Sequence, residues 1–210
     1  MITRDLMRKI APQCVDPDGW ARELSRAAEI GGIDTPREVQ HWLAQLLVEC
    51  AGFTRFEEDL WYRAATLVKT WPNRFPNLAS AQPFASNPRA LANKVYNGRM
   101  GNREGSDDGW HFRGRGPKQI TGRDNYTAYE AWLAARGIDL PIRTNPEILL
   151  KPEAGALSAA WFWKSEKLDA IVATATDASA TLSLTKRING GSNGLLQRQQ
   201  ALVRVKGVWA

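Results

Sequence analysis

Carboxylates set against apolar surface are costly unless they are paired, hydrogen-bonded or used. Residues 47–62, LVECAGFTRFEEDLWY, carry four of them: Glu49, Glu57, Glu58 and Asp59. One reading is a solvated charge cluster. The other is a pair of acids prepared for proton transfer, one carboxyl giving a proton and another taking one. From the residues alone, Glu49 reads first as a salt-bridge residue, since perturbed acids are often structural. In the run Glu57, Glu58 and Asp59, the flanking acids read as solvated. Asp107 and Asp108 are read as loop acids facing solvent.

Other chemistries find little support. His41 and His111 are the two histidines, so no zinc-ligand spacing exists, and neither a metal nor a cofactor is expected. Cys14 and Cys50 read as free thiols, and Cys50 continues an apolar helix face where a thiol packs rather than attacks.

The acids need elements to hold them, and helix signals recur throughout. Asp16-Pro17 opens a helix that should run to Gly31-Gly32. Thr35-Pro36-Arg37-Glu38 is a capping box with proline at the first helical position. From it Val39, Trp42, Leu43, Leu46, Leu47 and Cys50 fall on one helical stripe. Glu49 sits at the edge of that stripe near the C-terminal end. The negative end of the helix dipole and partial desolvation should both push its pKa upward, as suits a proton donor. Further helices are expected from Asn87-Pro88 to Asn97, from Arg123 to Arg136, after Asn145-Pro146, from Pro152 to Lys164, and after Asp177 and Gly194. Period-two alternation is scarce, with GPKQIT (116–121) as one short extended candidate. The fold class is therefore mainly α: a compact helical domain, 1–210, with N-terminal helices in 1–35 and a core in 36–210.

Residues 97–118, NGRMGNREGSDDGWHFRGRGPK, break the helical pattern. A long glycine-rich loop inside a compact domain is usually functional or mobile. It lacks the strand–loop–helix spacing of a phosphate cradle, and its single RGRG is a weak RNA signal.

The net charge of +6 favours a polyanionic partner: nucleic acid, an anionic membrane surface or a bacterial wall. The positive charges are spread along the chain rather than gathered into a stripe, which argues against nucleic acid. No apolar run reaches the ~20 residues of a membrane span, and the N-terminus MITRDLMRKI shows no export signal, so a cytoplasmic protein without membrane insertion is expected.

Several blocks in order carry a resemblance: LAQLLVECAGF (43–53), EEDLWY (57–62), WPNRF (71–75), NPRALANKVYNGRMGN (87–102), GWHFRGRGPKQITGRDNY (109–126), ALSAAWFWKS (156–165) and INGGSNGL (188–195). Together they resemble glycoside hydrolase family 19, the group of plant-type chitinases and phage endolysins, and within it the bacteriophage lysozyme-like branch. The resemblance implies a lysozyme-like helical fold with the glycine-rich loop bordering a substrate cleft. It implies Glu49 as general acid, Glu58 as general base (Glu57 or Asp59 if the match slips by one residue), and Thr121 as the hydroxyl that holds the attacking water. Gln119, Asn125, Tyr126 and Asn189 match positions facing the sugar, and Tyr96 joins them. Trp61 and Trp110, flanked by polar loops, are expected to contact sugar, whereas Trp42, Trp161 and Trp163 read as packing. Glycosidic cleavage needs one carboxyl to protonate the leaving oxygen and another to activate water, the inverting arrangement keeping them roughly 6.5–9.5 Å apart; inversion itself is implied by the resemblance.

Three positions depart from the family pattern. Val48 stands where the family has histidine, and Cys50 where it has serine or threonine, which should dry the surroundings of Glu49 and raise its pKa further. Lys118 replaces an apolar residue before Gln119. On the last helix Arg198 and Arg204 do not share a face closely, though one remains available to pair with a catalytic acid.

The implied function is a monomeric phage endolysin that hydrolyses β-1,4 bonds of peptidoglycan glycan strands. It would be held in the host cytoplasm until a holin opens the membrane, with no separate wall-binding module. A chitinase acting on poly-N-acetylglucosamine and a catalytically silent wall-binding protein are the rivals.

Overall fold

The computed structural model describes residues 1–209. Among them twelve α-helices follow one another: α1 Arg4–Ile10, α2 Pro17–Gly31, α3 Pro36–Glu49, α4 Ala64–Thr70, α5 Leu78–Ala81, α6 Pro88–Tyr96, α7 Asp108–His111, α8 Arg123–Ala134, α9 Pro152–Ser165, α10 Leu168–Thr174, α11 Asp177–Asn189 and α12 Leu195–Val208. No strand forms among the described residues; the extended pairings are isolated bridges of Arg115 with Glu57 and with Ile120. The protein is mainly α, and its helices start where the caps direct. Thr35 Oγ1 accepts from Glu38 N at 3.1 Å, Asp16 Oδ1 from Gly19 N at 2.8 Å, and Asn87 Oδ1 from Ala90 N at 3.2 Å, each ahead of a proline at the first helical position.

Two expectations change. The segment after Asn145-Pro146 forms a short 3₁₀ turn, Pro146–Leu150, because Pro152 forces Lys151 into the extended region and restarts the chain as α9. GPKQIT is not extended. Residues 116–119 form a turn, with Gly116 and Gln119 at positive φ (79° and 51°) and Gln119 N donating to Gly116 O at 3.0 Å.

The chain divides into two compact units. The first comprises Met1–Phe56, Gly116–Gln119 and the chain from Glu147 onward; the second comprises Glu57–Arg115 and Ile120–Pro146.

In the first unit α2 packs on α9 and α3 on α12. The small residues of α9 let α2 come close: a Cβ on Gly31 would stand 2.9 Å from Ala160 Cβ, and one on Gly155 would stand 2.8 Å from the Trp20 ring. Trp42, Leu43, Leu46 and Trp163 are fully buried between these helices. The indole N–H groups are satisfied: Trp163 donates to Glu38 Oε1 at 2.9 Å and Trp42 to Ala159 O at 3.4 Å. Truncating either indole to alanine would cost about 3–5 kcal/mol.

The second unit has its own core of Leu60, Leu67, Phe75, Leu91 and Val95, with Tyr62, Trp71, Tyr96 and Trp110 packed against it. Its glycine-rich segment is knitted rather than loose. Asp108, read from the sequence as solvated, is buried and accepts from Arg103 N, from the Arg103 side chain and from Arg123 Nε at 2.9–3.1 Å, and from Arg123 Nη2 at 2.6 Å. Asn97 Nδ2 donates to Ser106 O at 2.7 Å, and Asn93 Oδ1 receives Trp110 N at 2.8 Å.

Candidate active site

In the first unit Glu49 is the last residue of α3. Its two oxygens are held separately: Oε1 accepts from Arg198 Nη2 at 2.5 Å, and Oε2 faces Lys118 Nζ at 2.9 Å. Arg198 comes from α12 and also donates from Nη1 to Gln45 Oε1 at 2.7 Å. Gln45 lies one helical turn before Glu49, so both present the same face to the guanidinium.

This arrangement reverses the direction expected for Glu49. Burial does push its carboxyl upward, but the Lys118 ammonium and the Arg198 guanidinium outweigh that, and the pKa lies below its ordinary value. The helix end and the apolar neighbours act locally, whereas the two cations that decide the direction arrive from distant parts of the chain. Cys50 behaves as packing: its Sγ–H faces Leu46 O at 3.0 Å, and burial raises its pKa to about 12. Gln119 donates from Nε2 to Gly116 O at 3.0 Å, and Asn189 is exposed at the end of α11 with Nδ2 on Asn193 O at 2.9 Å.

In the second unit the three consecutive acids separate by partner. Glu57 pairs with Arg113, with Arg115 Nε at 3.8 Å. Asp59 turns back on its own chain, accepting Trp61 N at 2.9 Å. Glu58 is held by two neutral donors, Tyr96 Oη to Oε2 at 2.7 Å and Gly114 N to Oε1 at 2.5 Å, while its own N–H donates to Gly114 O at 3.1 Å.

Glu58, Trp61 and Trp110 border one depression of about 380 Å³, together with Glu57, Asp59, Asn87, Arg89 and Arg113. Trp61 is 69% exposed. Trp110 is half-buried: it packs against the core of the second unit, and the Arg113 guanidinium lies 3.7 Å from its ring centroid. Thr121 is half-buried, and its carbonyl receives Asn125 Nδ2 at 2.8 Å.

Tyr126 does not fit a sugar-contact role. It is fully buried, donates to Arg113 O at 2.7 Å and accepts from Arg115 at 3.2 Å; burial raises its phenol to about 12. It supports the backbone next to Gly114 instead. A buried tyrosine that braces a neighbouring backbone and one that contacts sugar look alike in sequence.

No family model matches the sequence. A protein of Haemophilus influenzae named as a glycosyl hydrolase family 19 domain-containing protein is 34% identical over 199 residues, covering 94% of this chain and 92% of that protein. The chain belongs to glycosyl hydrolase family 19. Among solved structures, chitinase C from Streptomyces griseus HUT6037 is similar with a TM-score of 0.62 at 16% identity, over 98% of this chain and 91% of that one. A chitinase C mutant gives the same score and identity, over 98% of this chain and 75% of its own. These likenesses establish the helical fold.

In this family 19 protein several contacts of the candidate acids have little or no local signal in the sequence. Gln45 was legible in principle, four residues before Glu49 on one helix. Of the two arginines on the last helix, Arg198 is the one that pairs with Glu49, and Lys118 turns toward the same carboxylate. Gly114 acts through its peptide N–H, which leaves no side-chain signal.

Proposed function

We propose that this glycosidase hydrolyses the β-1,4 glycan strand of bacterial peptidoglycan, with Glu49 as proton donor, Glu58 as general base and Thr121 as a holder of the attacking water. The observation that carries the reading is Glu58: a carboxylate aimed by a phenol and a peptide N–H, on the edge of a depression bordered by an exposed tryptophan. Its neighbours are occupied, Glu57 by Arg113 and Asp59 by its own turn, so Glu58 is the acid of the three best suited to take a proton from water. In the reaction Glu49 passes a proton to the leaving glycosidic oxygen while Glu58 removes one from the water attacking the anomeric carbon, and inversion follows if that water enters from the opposite face. Trp61 and the exposed part of Trp110 that borders the depression would receive sugar rings, with Gln119, Asn125 and Asn189 as polar contacts. The net charge of +6 suits an anionic wall, an attraction that weakens with salt. The biological role we infer is that of a monomeric phage endolysin stored in the host cytoplasm and released through holin lesions.

A chitinase is the second reading, supported by the fold shared with chitinase C. Mass spectrometry of digests of peptidoglycan and of chitin, with borohydride labelling of new reducing ends, tests both. Labelled muramitol from wild type, absent with Glu49→Gln, is the expected result. Turnover of chitin alone would transfer the protein to the second reading. No new ends from either polymer would overturn the hydrolytic role.

A further inference from the structure

Lys118 is the least expected charge in the first unit. Its side chain is 5% exposed, its ammonium stands 2.9 Å from Glu49 Oε2, and the Phe162 ring lies 4.5 Å away on α9. A lysine at that depth has lost almost all of its water, a loss the adjacent carboxylate and aromatic face only partly offset. The backbone aims it there. The 116–119 turn closes through Gln119 N on Gly116 O, with positive φ at Gly116, and a Cβ on Gly116 would come 3.1 Å from Ser158 Oγ on α9.

The charged groups facing Glu49 are thus the Lys118 ammonium from this turn and the Arg198 guanidinium from α12; the adjoining Cys50 thiol is neutral. Two buried cations share one carboxylate. We infer that Lys118 is a positioning residue for Glu49: by taking Oε2 while Arg198 takes Oε1, it fixes the direction of the carboxylate in the substrate-free protein. The inference takes its functional meaning from the reading of Glu49 as proton donor, but the contact it describes exists without substrate.

Lys118 and Glu49 also titrate against each other. Burial lowers the Lys118 pKa and Glu49 opposes that; conversely, Lys118 is the leading influence drawing Glu49 down. A proton donor must be protonated when the bond breaks, so lowering the carboxyl's pKa moves the alkaline limb of turnover toward acid. Removing the ammonium should widen that range toward neutral pH.

The test follows the Glu49 carboxyl carbon by NMR in protein labelled with ¹³Cδ-glutamate, assigned with Glu49→Gln. In Lys118→Met the titration midpoint should move upward by at least about one pH unit, the lower end of what an adjacent opposite charge commands. In Lys118→Arg, which keeps the charge, it should stay low. A folded Lys118→Met protein whose Glu49 titrates as in wild type would overturn the inference. Should Lys118→Met fail to fold, the reciprocal experiment decides. In Glu49→Gln, nearly isosteric, ¹³Cε-labelled Lys118 should titrate lower than in wild type, and an unchanged midpoint would overturn the inference equally. The alkaline limb of kcat/KM should follow the Glu49 midpoint in the Lys118 variants. Loss of all turnover by wild type would defeat the glycosidase reading while leaving the titrations to judge Lys118.

Discussion

The phenol of Tyr96 donates to Glu58 Oε2 at 2.7 Å, and burial together with the facing carboxylate keeps that phenol protonated well beyond its ordinary range. Tyr96 is therefore a fixed donor, and its task is to aim the carboxylate. We predict that Tyr96→Phe lowers kcat by about 10- to 150-fold, the worth of one hydrogen bond to a charged group. KM should change little, because the ring that packs on the core is retained. Steady-state kinetics on soluble glycan fragments check this; a raised KM at constant kcat would make Tyr96 a sugar contact instead.

Trp61 offers a cleaner test of sugar binding, since at 69% exposure its ring supports little else. Trp61→Ala should leave unfolding free energy within about 0.5 kcal/mol of wild type. Its KM should rise about 2- to 12-fold, as expected for one aromatic contact of ordinary strength. Denaturation and kinetics on the same preparation separate the two effects, and an unchanged KM would remove Trp61 from the binding surface.

Asp108 predicts a pH dependence of stability. Burial pushes its carboxyl up, but the hydrogen bonds and charges of Arg103 and Arg123 overcome this and hold it far below the usual carboxylate range. A folded-state pKa below the unfolded value, about 3.9, stabilises fully above that value and loses its contribution as pH falls through the folded one. Asp108→Asn should therefore be less stable than wild type by about 1–3 kcal/mol at pH 7. That difference should shrink progressively below about pH 4. Urea unfolding at both ends of this range checks it; a gap that persists undiminished in acid would mean that packing, not charge, carries the effect.

Gly109 predicts a steric effect within the second unit. A Cβ there would come 2.6 Å from Ala92 O and 2.8 Å from Asn93 Cα, both backbone atoms that cannot rotate away. Gly109→Ala should push α7 from α6 and cost about 1–3 kcal/mol. It should also disturb Trp110, whose N–H depends on Asn93 Oδ1. Chemical denaturation reads the first consequence and tryptophan fluorescence the second; wild-type values in both would show that α6 yields more easily than its backbone contacts suggest.

How much of this could be read from the chain depended on the range of the forces involved. Cap and stripe signals act within a few residues, so α2, α3, α6, α9, α11 and α12 appear close to where Asp16, Thr35, Asn87, Pro152, Asp177 and Gly194 announce them. α1 falls within the N-terminal helices expected in 1–35, whereas the short helices α4 and α10, seven residues each, carry no cap or stripe signal strong enough to announce them. Arg63 and Lys167 give no side-chain cap to α4 and α10, whose formation rests on packing of residues such as Leu67 and Leu168. Among candidate site residues, Glu49 was legible as an acid at a helix end, yet its electrostatics depend on Lys118 and Arg198, respectively 69 and 149 positions away. Local reasoning predicted the wrong direction of shift because it held only the local half of the charge distribution. Tyr126 failed for a related reason: whether a phenol faces solvent or supports a neighbouring backbone is decided by contacts that no spacing records.

Glu58 and Gly114 grip each other twice, once through the backbone and once through the carboxylate. The donor at position 114 is a peptide N–H, common to every residue but proline. The contact depends on the path of the chain rather than on a side-chain group. A substitution at 114 that preserved the path would keep the grip, whereas a shift in that path made elsewhere could release Glu58 with both residues unaltered. Part of what orients this carboxylate is thus inherited as geometry, and a catalogue of side chains would pass over it.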